Sequence, residues 1–226
     1  MTPVPPKNLN PFARQLLERM AGHDEAAEIV IGGGVALSHY LEYRDTVDLD
    51  SWWRQVRSED VVAFIEGCMK ELAAQHGLNY RYRDWGETES MEILLGDQKV
   101  FSFQIRKRTL YLDGVIPSEW QPLWIETLSD NIASKMTALV NRGAPRDFSD
   151  IYQLVHAGVL GSDECWRLYT LKNPGVPRDE AQRKVLAKLE MIAVSRPLEY
   201  IQPLAARQRT ALVRDWYRTH FCAPPR

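Results

Sequence analysis

The stretch that decides the fold is GGGVALSHYLEYRDTVDLDSWW, residues 32–53. It follows EIVI, a short run of β-branched residues that is typical of a strand, so the three glycines mark a turn at the end of that strand. Apolar residues after the glycines are spaced as in a helix, and TVDLDSWW then alternates between polar and apolar side chains. The pattern predicts a strand, a glycine turn, a helix and a second strand in succession.

Asp48 and Asp50 lie two positions apart in the second predicted strand. Because side chains alternate across a strand, both carboxylates point to one face, about 6–7 Å apart, while Leu49 points into the core. Two such carboxylates repel each other unless a cation lies between them, and Mg²⁺ is a hard cation that accepts carboxylate ligands. The glycines at 32–34 let backbone N–H groups approach a phosphate, which the start of the following helix also favours.

The same residues have a simpler interpretation. Asp48 and Asp50 can be the polar face of a half-exposed strand, and the glycines can serve only a tight turn. An isolated Asp-x-Asp pattern favours this simpler interpretation. The combination of the pair with a glycine turn on the neighbouring element favours a metal and phosphate site.

A second polar group lies in DNIASKMTALVNRGAPRDFSDIYQL, residues 130–154. Lys135 and Arg142 are nearly two helical turns apart, so they share a face and both can reach triphosphate oxygens. Asp147 and Asp150 lie at the start of the next predicted helix and also share a side. An acid near a helix N-terminus is often only a cap, and this interpretation suits at least one of the two.

The two halves of the chain differ in their hydrophobic pattern. Strands are predicted at about 78–84, 90–95, 99–106 and 123–127. Helices are predicted at about 11–22, 59–75, 129–142, 147–157, 162–170, 179–194 and 204–220. We therefore predict an α/β core with an N-terminal helix at 1–128 and a helical domain at 129–226.

Composition bounds the class of protein. The chain has 226 residues, 45% of them hydrophobic and 26% charged, which is ordinary for a globular protein and leaves ample core. The formal charge of −2 indicates no global attraction to polyanions. Cys68, Cys165 and Cys222 are odd in number and lack metal-type spacing, and no signal peptide or membrane span is evident. These features predict a cytoplasmic protein with no membrane partner.

Taken together, the two polar blocks resemble a known family. GGGVAL followed by Arg44, Thr46 and DLD is similar to the signature of the AbiEii/AbiGii-type nucleotidyltransferase toxins, a branch of the polymerase-β-like nucleotidyltransferase superfamily. The block at 130–154 is similar to that family's lysine-bearing helix and its Arg-Asp-Phe/Tyr-x-Asp motif. The likeness covers roughly the middle two-thirds of the chain. It implies an α+β fold, with a polymerase-β-like core of a small mixed sheet flanked by helices, followed by a C-terminal helical bundle.

The resemblance also implies an activity and a set of site residues. It implies metal-dependent transfer of NMP from an NTP to RNA, with the tRNA acceptor end as first choice, or to a protein, by a toxin that has a cognate antitoxin. Asp48 and Asp50 would hold Mg²⁺ or Mn²⁺, Lys135 would bind phosphate, and Asp147 or Asp150 would orient the lysine or complete the acidic site. The residues expected to bind the nucleotide are Gly33, Gly34, Arg44, Thr46, Lys135, Arg142 and Asp150.

Two residues depart from the family pattern. Val35 stands where a Ser or Thr hydroxyl usually contacts phosphate, and Gln104 stands where a third carboxylate is expected on a later strand. Glu92 or Asp147 could replace that carboxylate. These departures keep two alternatives open: a catalytically degenerate relative that binds a nucleotide or a partner, and a transferase that acts on small molecules such as aminoglycosides.

Overall fold

The computed structural model describes residues 1–107 and 110–223. These form two compact units, Met1–Asn131 and Ile132–Arg226. In the described parts of the chain, no helix is both long and apolar enough to cross a membrane.

The first unit is built on a mixed sheet. Its strands are β1 (Ile29–Ile31), β2 (Asp48–Trp53), β3 (Asn79–Asp84), β4 (Thr88–Leu95), β5 (Gln98–Arg106), β6 (Val115–Pro117) and β7 (Trp124–Glu126). Its helices are α1 (Pro11–Met20), α2 (Gly33–Ser38) and α3 (Glu59–Gln75), with a 3₁₀ turn at Asp24–Glu28. The described strands lie in the order β3-β4-β5-β2-β1-β7-β6. The β2–β5 and β1–β7 pairs are parallel and the other pairs are antiparallel.

Alternation along the strands separates an apolar face of the sheet from a polar one. Helices α1 and α3 pack on each other and contribute to the hydrophobic core with the apolar strand residues. In β2, Leu49 and Trp53 are buried in this core, while Asp48 and Asp50 are partly exposed and lie on the other face. This arrangement agrees with the predicted mixed α/β pattern, and short β6 is a strand that the sequence did not indicate.

The second unit is helical, and the helix that leads into it starts in the first unit. The helices are α4 (Leu128–Asn141), α5 (Pro145–His156), α6 (Ser162–Lys172), α7 (Arg178–Ser195) and α8 (Leu204–Trp216), with a 3₁₀ turn at Leu198–Tyr200 and a π-helical turn at Tyr217–Phe221. Trp166, Tyr217 and Phe221 are fully buried, and the hydroxyl of Tyr217 donates to the carbonyl of Phe148 at 2.9 Å. The π-helical turn ends the regular part of the helix that was predicted to run from 204 to 220.

Candidate active site

Asp48 and Asp50 each have a cation from the neighbouring strand β5. Nζ of Lys99 lies 2.7 Å from Oδ1 of Asp48, and the hydroxyl of Ser102 donates to the same oxygen at 2.7 Å. Nη2 of Arg106 lies 3.6 Å from Oδ1 of Asp50. The side chains of Asp48 and Asp50 are 14% and 28% exposed. The predicted repulsion between the two carboxylates is thus balanced by side chains of the protein itself.

The glycine turn lies directly against β2. A methyl group added at Gly33 would come within 2.2 Å of Oδ2 of Asp50, and one added at Gly32 would come within 2.2 Å of Nε1 of Trp52. At Gly34, the nearest atom to an added Cβ would be Oγ1 of Thr46, at 3.2 Å. Since real Cβ atoms do not approach within 2.2 Å of other atoms, glycine is needed at positions 32 and 33 for this contact. The structure therefore brings Gly33, Gly34 and Thr46 to the strand that carries the aspartates.

Gly33 is held by two buried side chains that sequence reasoning missed. Its N–H donates to Oε1 of Glu126 at 3.0 Å, and its carbonyl accepts from Nδ2 of Asn131 at 2.8 Å. Asn131 also donates to Glu126, whose Oε2 accepts from Nε1 of Trp52 at 3.1 Å. Both residues are fully buried. They fix both polar groups of a glycine whose φ is +58°, in the left-handed region.

This contact changes the expected phosphate site. The Gly33 N–H that was predicted to approach a phosphate already donates to a carboxylate of the chain. The sequence feature that could have pointed to Glu126 is its place at the end of WIE, where an acid follows two large apolar residues. A buried carboxylate needs several donors, but the sequence alone does not indicate which donors will reach it.

Val35 is buried in the core, and the side chain of Arg44 contacts residues next to it in the chain. Val35 is fully buried in the hydrophobic core, which also contains Leu49 and Trp53 of β2. Gly34 is the residue of the turn that faces Thr46. Arg44 lies in the loop before β2, where Nε donates to the hydroxyl of Tyr43 and Nη1 to the carbonyl of Asp45.

Glutamine lies where the family resemblance leads us to expect a third carboxylate. Gln104 is the partner of Asp50 in the parallel pairing of β2 with β5, so it lies beside that aspartate on the same face. Glu92, one of the suggested replacements, lies 2.7 Å from Nη2 of Arg81 and 3.4 Å from Nε of Arg83. Its carboxylate is thereby part of an ion-pair cluster with strand β3.

In the helical unit, Lys135 contacts Asp150. Nζ of Lys135 lies 2.6 Å from Oδ2 of Asp150, and the two side chains are only 11% and 2% exposed. Burial penalises the charged carboxylate and raises the pKa of Asp150 to about 8. The pair can therefore change its charge near neutral to mildly alkaline pH.

Asp147 has a different set of partners. Arg142 donates to it through Nε and Nη2, at 3.0 and 2.6 Å, and the N–H of Ala144 donates to its Oδ2 at 2.9 Å. Asp147 thus caps the start of α5 and forms a bidentate pair with Arg142. Asp150 contacts Lys135 and Asp147 contacts Arg142.

The pair of carboxylates on β2 suits a hard divalent cation. Among residues 1–107 and 110–223, no group of three or more His, Cys, Asp or Glu side chains is arranged to hold a metal ion. Asp48 and Asp50 form a pair, and Mg²⁺ commonly takes one or two carboxylates and completes its shell with water and substrate phosphates. A Cβ at Gly33 would overlap the side chain of Asp50, so the missing side chain is what lets this carboxylate lie directly against the glycine backbone.

Comparison with known families identifies the class of protein. A family model described as "Nucleotidyl transferase AbiEii toxin, Type IV TA system" matches residues 15–216. The chain belongs to the AbiEii family. This makes it a nucleotidyltransferase toxin of a type IV toxin–antitoxin system, with a cognate antitoxin implied. The resemblance noted in residues 32–50 and 130–154 is thereby confirmed, and the match extends well into the flanking segments. No curated protein matches the chain.

Proposed function

We propose that this AbiEii-family chain transfers NMP from an NTP to an RNA acceptor, with tRNA as first choice, and that the transfer depends on Mg²⁺ or Mn²⁺. The observation that carries the proposal is the packing of Gly33 against Asp50, where an added Cβ would lie 2.2 Å from the carboxylate oxygen. It supports a site in which the glycine turn lies beside the carboxylate pair and borders the ligand, while the Gly33 N–H stays bonded to Glu126. A nucleoside triphosphate with its metal is a ligand of that kind.

In the proposed reaction an acceptor hydroxyl attacks the α-phosphorus of the NTP, and pyrophosphate leaves. Asp48 and Asp50 would hold the divalent cation, which neutralises charge on the phosphates and orients them. Thr46 and Gly34 would border the nucleotide beside β2. Catalysis would then consist of positioning and charge neutralisation, as in other transfers of phosphoryl groups.

Lys135 is proposed to bind phosphate oxygens, and Asp150 to orient it. Support comes from the 2.6 Å contact between them and from the burial of both side chains. When Asp150 is protonated, it no longer cancels the charge of the Lys135 ammonium. When Asp150 is ionised, the pair is neutral and attracts phosphate less strongly.

This arrangement predicts a pH dependence. As pH rises through about 8, the pKa to which burial raises Asp150, we expect the KM for NTP to increase. Asp150→Asn is neutral at every pH and should show no such increase, whereas Lys135→Ala should weaken nucleotide use at all pH values. The measurement is KM for NTP between pH 6.5 and 9.5. An unchanged rise in Asp150→Asn would contradict the assignment.

The test of the proposed function is direct labelling. The protein is incubated with each α-labelled NTP in turn, with Mg²⁺ and total tRNA, and the RNA, protein and small-molecule fractions are separated. We expect label on RNA and its loss when the cation is chelated. Label on protein would identify a protein acceptor, and label on neither macromolecule but on a small acceptor would favour an aminoglycoside-type transferase.

One observation favours a second candidate function. Gln104 lies beside Asp50 where a third carboxylate is expected, and glutamine cannot supply the missing charge. A degenerate relative would bind a nucleotide, or a partner protein, without transfer. Saturable binding of a labelled NTP with no label transferred to any fraction would support this alternative over the first.

A further inference from the structure

The approach of Lys99 to Asp48 depends on an irregularity in β5. Regular alternation would direct Lys99 to the core face, where Phe101 is buried. Instead the pairing of β4 with β5 shifts its register: Ile93 pairs with Phe101, but Leu94 pairs with Lys99. Val100 is the extra residue, and it packs against the hydrophobic core. A bulge of this kind redirects side chains and occurs frequently beside active sites.

The redirected lysine contacts two residues on the site face. Its Nζ lies 2.7 Å from Oδ1 of Asp48 and donates to Oγ of Ser102 at 3.3 Å. The same Oδ1 accepts from Ser102. The Lys99 side chain is 34% exposed, so its ammonium group is near solvent and near the carboxylate that the proposed function assigns to the metal.

A divalent cation and this ammonium group compete for one oxygen. A cation bound to Oδ1 of Asp48 and a lysine head at its present distance would repel each other strongly at such short range. Lysine has a flexible four-carbon stem and a rotatable head, so it can turn away from the carboxylate without movement of the strand. The phosphates of a nucleotide bound at the same place offer the nearest new anionic partners.

We propose that Lys99 is a further substrate-binding residue, which balances Asp48 in the ligand-free protein and moves to the triphosphate when the metal–nucleotide complex binds. This inference rests on the proposed function, because it requires a metal at Asp48. It assigns to Lys99 two measurable effects of opposite sign. The lysine weakens the binding of a metal alone and strengthens the binding of a triphosphate with its metal.

The experiment uses the full chain and reads out binding, not turnover. Lys99→Met keeps the length of the side chain but removes its charge. In the absence of nucleotide, we expect this variant to bind Mn²⁺ about tenfold more tightly, equivalent to about 1.4 kcal/mol. In the presence of Mg²⁺, we expect it to bind a non-hydrolysable NTP about tenfold more weakly. Lys99→Arg keeps the charge and should lie close to the wild-type protein in both titrations.

Lys70→Met is the matched control. Lys70 lies on α3, where it pairs with Glu66 at 2.8 Å, and its side chain is 57% exposed. The Lys70→Met substitution also removes one positive charge, but outside the site, so both titrations should give the same result as the wild-type protein. Thermal melts of all variants check that the fold is kept.

The outcomes separate this inference from the proposed function. If Asp48→Ala loses Mn²⁺ binding but Lys99→Met binds Mn²⁺ and NTP as the wild-type protein does, Lys99 is only a structural ion-pair partner and the inference is overturned. If Asp48→Ala binds Mn²⁺ normally, the metal site itself is wrong and both proposals fail. Opposite shifts in Lys99→Met, with none in Lys70→Met, support the inference.

Discussion

Asp48→Ala and Asp50→Ala should each lower nucleotidyl transfer by about 10³-fold or more, since each removes a carboxylate that would hold the charge-neutralising cation. The fold should survive. Both side chains are partly exposed, and the contacts to Lys99 and Arg106 are ion pairs at the edge of solvent, which contribute on the order of 1 kcal/mol or less to the free energy of unfolding. The measurements are label transfer to RNA and thermal unfolding.

Asp97→Ala is a suitable control for these variants. Asp97 lies in the exposed turn between β4 and β5. Its substitution by alanine removes one negative charge near the same strands. Transfer by this control should equal that of the wild-type chain. Normal transfer by Asp48→Ala, with the same protein showing an intact melt, would refute the role proposed for the pair.

Gly33→Ala should have the second largest effect, and it should act through the backbone. Its φ of +58° costs about 1–3 kcal/mol for a residue with a side chain, and the new methyl group would lie 2.2 Å from Oδ2 of Asp50. The turn or the aspartate must move. Misplacement by about 1 Å at a reacting centre can lower the rate by about 100-fold, so we expect a loss of at least that size together with a lower melting temperature.

Gly67→Ala is the control that tests whether the loss of activity in Gly33→Ala is specific to position 33. Gly67 lies within α3, and an added Cβ there meets no atom within 4 Å. Because alanine is favoured over glycine in a helix interior, this variant should gain up to about 1 kcal/mol of stability with unchanged transfer. Equal activity of the Gly33 and Gly67 variants would show that the close approach of the glycine turn to β2 has no role in catalysis.

Local periodicity was sufficient to predict the features of the site that lie within one element or between neighbours in the chain. The alternation in β2 correctly placed Asp48 and Asp50 on one face, opposite Leu49. The glycine spacing correctly indicated a turn beside that strand. The helical spacing placed Lys135 and Arg142 on one face, and both form ion pairs with acids of α5. The spacing did not indicate which acid each would contact.

The parts of the site that the sequence did not indicate depend on contacts between elements that are distant in the chain. Lys99 faces the site only because one residue is inserted in β5, and a bulge is a property of two strands in register. Glu126 and Asn131 were missed for the same reason, since their donor and acceptor partners in Gly33 and Trp52 come from β2 and the glycine turn. Val35 was noted as a departure from the motif, and the structure places its side chain in the hydrophobic core.

The contacts of the glycine turn and the carboxylate pair join distant parts of the sequence, which determines when they can form during synthesis. Lys99 contacts Asp48 across 51 positions of sequence, and Glu126 contacts Gly33 across 93. Such long-range pairings form late, because the loops between them must close first. A nascent chain that has emerged only as far as β5 lacks the carboxylate that holds Gly33, so the glycine turn cannot form its final contacts until Glu126 has left the exit tunnel.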